Sequence, residues 1–175
     1  MFLLAYQTPE QATEGVAKIY DHFTQKRNPV PAPLQLMSTS PGLLKVFFEQ
    51  ITYFMHHEAL SFPMLAAIRF LAAQEVCFDH CSHLNRIWLS KTGLSEMDIA
   101  DLAAGRNVEA FSEAENALLL TVAKVLRKER ITETEVQRLR DLGWKDSDVL
   151  DACAQGTNMI GTSCLFEAFS RQEAP

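Results

Sequence analysis

What most limits this chain's possible folds is its punctuation. Thr8-Pro9-Glu10-Gln11 sets a capping hydroxyl ahead of a proline at a first helical position, with glutamine closing a capping box. Ser40-Pro41 repeats the hydroxyl–proline pair, and Ser61 offers another start. Further on, Ser95, Ser112, Thr132 and Ser147 stand as N-caps, and Ser112–Glu115 and Thr132–Glu135 have capping-box spacing. Gly105 and Gly143 fall where helices end on a left-handed residue. Between these marks apolar residues recur at helical spacing: Ala12, Val16, Ile19, Tyr20 and Phe23, then Leu44, Phe47, Ile51, Phe54 and Met55. No stretch alternates as a strand would. The pattern predicts an all-α bundle of about seven or eight helices. Arg27-Asn28-Pro29-Val30-Pro31-Ala32-Pro33 is expected to be a linker or rim loop, because its prolines cannot continue a helix.

A length of 175 residues suits a single domain, and 47% hydrophobic residues supply its core. The net charge of −6 argues against a nucleic-acid partner, which would need clustered Lys and Arg. Arg127-Lys128-Glu129-Arg130 reads as a solvated helix terminus, where cations suit the dipole. No apolar run approaches the roughly 20 residues of a membrane helix. The opening Met1-Phe2-Leu3-Leu4-Ala5 is too short for a signal peptide. A cytoplasmic location is therefore expected, where structural disulfides are rare, so the four cysteines should be reduced, catalytic or buried. The last helix, from about Ser147 to Phe169, carries Gly156, Gly161, Ser163 and Cys164; these small residues fit either tight intrachain packing or a subunit contact.

The chemistry concentrates in Glu75-Val76-Cys77-Phe78-Asp79-His80-Cys81-Ser82-His83-Leu84-Asn85. Around it, several segments resemble the alkyl hydroperoxidase D and carboxymuconolactone decarboxylase family, in its peroxidase-related branch. They are Pro9-Glu10 through Tyr20, Ser40-Pro41-Gly42-Leu43-Leu44, Thr92-Gly93-Leu94-Ser95 with Leu102-Ala103-Ala104-Gly105, and Asp141-Leu142-Gly143-Trp144 with Val149-Leu150. The resemblance implies an alkyl hydroperoxidase D-like helical bundle: residues 1–59 a helical pair, 60–105 the active-site helix region and 106–175 the C-terminal helices. It also implies a signature of glutamate, eleven residues, C-x-x-C, three residues and histidine. Anchored on Gly93 and Leu60-Ser61, Cys81 matches the second, peroxide-attacking cysteine, and His80 the residue before it. Phe78 stands at the first cysteine, Ala66 at the glutamate and Asn85 at the histidine.

Cys77 offers C-x-x-x-C in place of C-x-x-C. In a regular helix, i,i+4 Cβ atoms stay about 5–6 Å apart, whereas a disulfide needs about 3.8 Å. A Cys77–Cys81 bond thus requires residue 77 to lie outside the helix or its first turn to deform. Both cysteines can equally be small buried residues. A helix N-terminus would activate Cys81, and mid-helix burial would silence it; the segment from Phe62 to Leu89 has no glycine, and its one proline, Pro63, is near a start. Cys153 and Cys164 lie about 16 Å apart along one helix and read as packing residues.

Cys77, His80 and Cys81 share about a 100° arc of a helix, and Met55-His56-His57-Glu58 could add a ligand, but no recognised metal spacing is present. His56 and His57 suit a helix C-terminus, and His22 a polar face. No cofactor is expected. Taken with the resemblance, these residues imply a thiol-dependent peroxidase with Cys81 as nucleophile, Cys77 as resolving thiol and His80 as the nearest base. Its partners would be a hydroperoxide and a thiol reductant, and it would assemble as a dimer, trimer or hexamer. The rivals are a catalytically silent helical scaffold for binding or assembly, and a decarboxylase-like enzyme without cysteine redox.

Overall fold

The computed structural model describes residues 2–76 and 79–171, with the backbone alone for 79–81. Among these residues there are nine α-helices and no strand: α1 Glu14–Thr24, α2 Ala32–Met37, α3 Pro41–Met55, α4 Phe62–Glu75, α5 Asp79–Lys91, α6 Glu96–Ala103, α7 Glu113–Leu126, α8 Glu133–Asp141 and α9 Asp146–Phe169. A 3-10 turn at Pro9–Gln11 precedes them. The all-α class holds. No helix among the described residues is long and apolar enough to cross a membrane.

The chain gathers into two compact units, Met1–His56 with Cys164–Pro175, and His57–Ser163. In the first, the stripe Val16, Ile19 and Tyr20 of α1 packs with Val30, Leu34, Met37 and Leu44. Tyr20 is buried, and its hydroxyl donates to the Gln7 carbonyl at 2.9 Å. Two expectations shift here. The Thr8 capping box does not form, because Ala12 adopts an extended ψ of 130°. The helix starts instead behind Thr13, whose N–H donates to Gln7 Oε1. The proline-rich segment is also not wholly loop, since Ala32 and Pro33 occupy the first turn of α2, where a missing N–H costs nothing. Met55, counted with the apolar stripe of α3, is 67% exposed.

The second unit is built around α4. Met64 through Ile68 and Phe70 through Ala73 are buried, so α4 is enclosed nearly all round. It packs against α5, α6 and α7. Ser95, Ser112 and Thr132 each close a reciprocal capping box, with Asp98, Glu115 and Glu135. Gly105 and Gly143 take φ of +66° and +94° after α6 and α8, as the left-handed stops require. Ser147 lies inside α9, not at its cap; the Lys145 N–H finds Asp148 Oδ2 instead. Between α6 and α7, the buried Asn116 pins the loop. Its Oδ1 accepts from the Val108 N–H at 2.7 Å, and its Nδ2 donates to the Val108 and Phe111 carbonyls at 2.9 and 2.8 Å.

The small residues of α9 divide. A Cβ on Gly156 would sit 3.0 Å from Leu126 Cδ2 and 3.4 Å from Val122 Cγ1, so this glycine serves close packing. Gly161 faces open space, and Cys164 is exposed, so Cys164 is not the packing residue its sequence suggests. Cys153 is partly buried, and burial raises its thiol pKa.

The third capping box also joins an ion pair. Lys124 Nζ lies 2.5 Å from Glu135 Oε1, while Oε2 accepts from the Thr132 N–H and hydroxyl. The hydrogen bond from Lys124, then those from Thr132, lower the Glu135 carboxyl from 4.5 to about 2. Because the folded value is the lower one, its contribution is present above 4.5 and lost as the pH falls toward about 2. Glu135→Gln should therefore unfold at lower urea than the native chain at neutral pH, and the gap should close over that acid range. A gap that did not change with pH would refute the assignment.

Candidate functional site

Two helices carry the chemistry-bearing residues, α4 and α5. Phe62 meets Trp88 with ring centroids 5.8 Å apart, and Gln74 Nε2 donates to Ser82 Oγ at 2.5 Å. The start of α4 thus lies by the end of α5 and its end by the start of α5, so the pair is antiparallel. Ser61 fixes the entry to α4, its hydroxyl accepting from the Met64 N–H at 3.4 Å. At the other end Val76 leaves helical geometry, with φ −108° and ψ 8°, after α4 stops at Glu75.

The sequence gives little sign of this stop, yet α5 begins anew at Asp79. His80 and Cys81 are therefore the second and third residues of α5, in its first turn, where backbone N–H groups lack helical acceptors and the dipole favours negative charge. Their side chains, and all of Cys77 and Phe78, lie outside the described residues. Ala66 and Asn85, at the expected glutamate and histidine positions, are 0% and 2% exposed. Asn85 and Trp88 follow Cys81 by four and seven residues, which places all three positions on one face of α5.

A cation missed at the sequence level joins this seam. The Arg69 guanidinium carbon lies 5.2 Å from the Trp88 ring centroid and 5.9 Å from that of Phe62. Its Nε and one terminal nitrogen are shielded from water. The two rings hold the charge by cation–π attraction of about 0.5–2 kcal/mol. Arg69 was legible in principle, as the one charged residue in the run Phe62–Ala73.

This all-helical arrangement is shared with a solved structure, an uncharacterized peroxidase-related protein from Silicibacter sp. TM1040. The match has a TM-score of 0.74 at 19% identity and covers 89% of this chain and 83% of that one. The likeness is one of fold. No family model and no curated protein matches the sequence.

The histidines outside α5 are engaged in other ways. The His57 side chain is 7% exposed; its Nδ1 accepts from the Leu60 N–H at 3.0 Å and the Ala59 N–H at 3.2 Å. Because those groups can only donate, the ring hydrogen sits on Nε2 and points to Asp151 Oδ2 at 3.3 Å. Both ring nitrogens are committed, which leaves no lone pair for a metal. This is a correction: His57 is a buried tie between the approach to α4 and α9, not a residue set at the end of α3 by the helix dipole. His56 caps α3 and donates from Nδ1 to the Thr52 carbonyl at 2.8 Å. His22 stays on the exposed face of α1, its ring 4.8 Å from that of Phe48.

Proposed function

We propose that the chain is a thiol-dependent peroxidase of the cytoplasm, working as a homo-oligomer, with Cys81 as nucleophile, Cys77 as resolving thiol and His80 as the nearest base. The observation that carries this reading is the position of Cys81 in the first turn of α5, in a fold shared with a peroxidase-related protein. A thiol there is biased toward thiolate, the form that attacks. The thiolate takes the outer oxygen of the hydroperoxide, the O–O bond breaks, and the alkoxide leaves as alcohol with a proton from His80. Cys81 is then a sulfenic acid. Cys77 attacks the sulfenic sulfur and the S–O bond breaks. The departing hydroxyl takes the proton of the Cys77 thiol and leaves as water, and a disulfide forms. A dithiol reductant restores both thiols by exchange and is itself oxidised.

Sealing of the two departed positions favours a second reading. Ala66 and Asn85 are closed to solvent, as in a seam that only packs, and this suits a silent scaffold. Alkylation of the native protein separates the two. Cys81 should react with iodoacetamide faster than Cys153 or Cys164, and its rate should rise through a midpoint below the free-thiol value of about 8.5. A Cys81 that alkylates only after unfolding would leave the scaffold as the better account. Light scattering on the same sample checks assembly, since a particle of 19.7 kDa alone would exclude an oligomer.

A further inference from the structure

We propose that the cleft between α7 and α8 binds a small aliphatic α-amino acid as its free zwitterion. This stands apart from the thiol reading, since none of the residues involved lies on α4 or α5. Glu113 pairs with Arg138 and Lys124 with Glu135, so the two helices run antiparallel with an ion pair toward each end of their seam. All four line a cleft of about 220 Å³. That is under the roughly 300–1,000 Å³ of pockets for drug-sized ligands, which limits the occupant to a small molecule.

The two pairs differ in kind. Lys124 Nζ is 2.5 Å from Glu135 Oε1, and the other Glu135 oxygen is held in the Thr132 capping box. That end is fixed. At the other, Arg138 Nη2 reaches Glu113 Oε1 only at 3.4 Å, and both side chains are mostly exposed. So exposed and loose a pair adds little stability. Among the described residues, Arg138 Nε and Nη1 donate to no other side chain, and Glu113 Oε2 accepts from none. The pair sets a guanidinium fork beside a carboxylate, each with an unused edge.

An α-amino acid carries the complementary arrangement, a carboxylate and an ammonium on one carbon. Its carboxylate takes the Arg138 fork, which suits planar acceptors, and its ammonium donates to Glu113. Charges then alternate in sign around the contact, and the native pair need not break. The side chain enters the cleft over Ala117, Leu120 and Leu139. An aliphatic chain suits this floor. The buried polar residues of the lining, Asn116 and Thr121, direct their hydrogens to backbone carbonyls and offer no donor to a polar one.

The test is saturation-transfer difference NMR on the full chain. It titrates L-leucine, isocaproate (leucine without its ammonium) and isoamylamine (leucine without its carboxylate). L-leucine should bind saturably, and each analogue about tenfold more weakly, because each forfeits one charge-assisted contact. Arg138→Gln and Glu113→Gln should each weaken L-leucine by about tenfold. Ala117→Leu, which fills the cleft, should remove its saturation. Circular dichroism of each variant checks the fold, and the analogue comparison needs only the native chain. No saturable signal from L-leucine, equal binding of the three probes, or unchanged L-leucine binding in folded Arg138→Gln and Glu113→Gln each overturns the proposal.

Discussion

Replacing Asn116 with leucine should destabilise the protein by about 3 kcal/mol, or roughly 10 °C in Tm, although the two side chains are similar in size. Asn116 is 8% exposed, and its amide holds the loop from α6 to α7 through the Val108 N–H and the Val108 and Phe111 carbonyls. The Ser112 carbonyl, 3.1 Å from Nδ2, shares one of the two amide N–H groups. Leucine would fill the space and strip the Val108 N–H and the Phe111 carbonyl of this partner, each costing about 1–3 kcal/mol when water cannot replace the bond. The Val108 and Ser112 carbonyls keep the N–H groups of residues 111 and 116. Partial relaxation of the loop keeps the sum below simple addition. Thermal and urea unfolding monitored together would measure it, and a loss under about 1 kcal/mol would show that the loop does not depend on this amide.

The other large effect concerns turnover. Cys81→Ser should reduce peroxide consumption to the uncatalysed background, because a serine hydroxyl is neither ionised nor nucleophilic enough at neutral pH. Cys77→Ser should differ in kind. It should consume one equivalent of peroxide at the native rate and then stop, with Cys81 one oxygen heavier and open to sulfenic-acid trapping. Phe78→Cys, which restores the i,i+3 spacing, should form the disulfide more readily than the native pair. Continued turnover by Cys77→Ser at the native rate would remove Cys77 from the mechanism.

Much of the fold was legible because helix ends are local events. The boxes at Ser112 and Thr132 form as their spacing predicts, and Gly105 and Gly143 stop helices as the residue type dictates. Thr8-Pro9 misled because Gln7 caps Thr13 through its side chain, an arrangement that spacing alone does not select. The division between α4 and α5 had no local signal, with neither glycine nor proline nearby. It is set by packing: α4 buries Met64 through Ile68 and Phe70 through Ala73, so the chain turns back and lays α5 along it. Distance hid the rest. His57 and Asp151 meet across 94 residues, and the rings around Arg69 come from two helices.

The measurement that bears most directly on the central claim is a count of free thiols before and after one equivalent of hydrogen peroxide. The sequence has four cysteines. The account predicts that two thiols disappear, that the lost pair maps to Cys77 and Cys81, and that no covalent dimer forms. All four thiols surviving in the native protein, or a loss confined to Cys153 and the exposed Cys164, would contradict it.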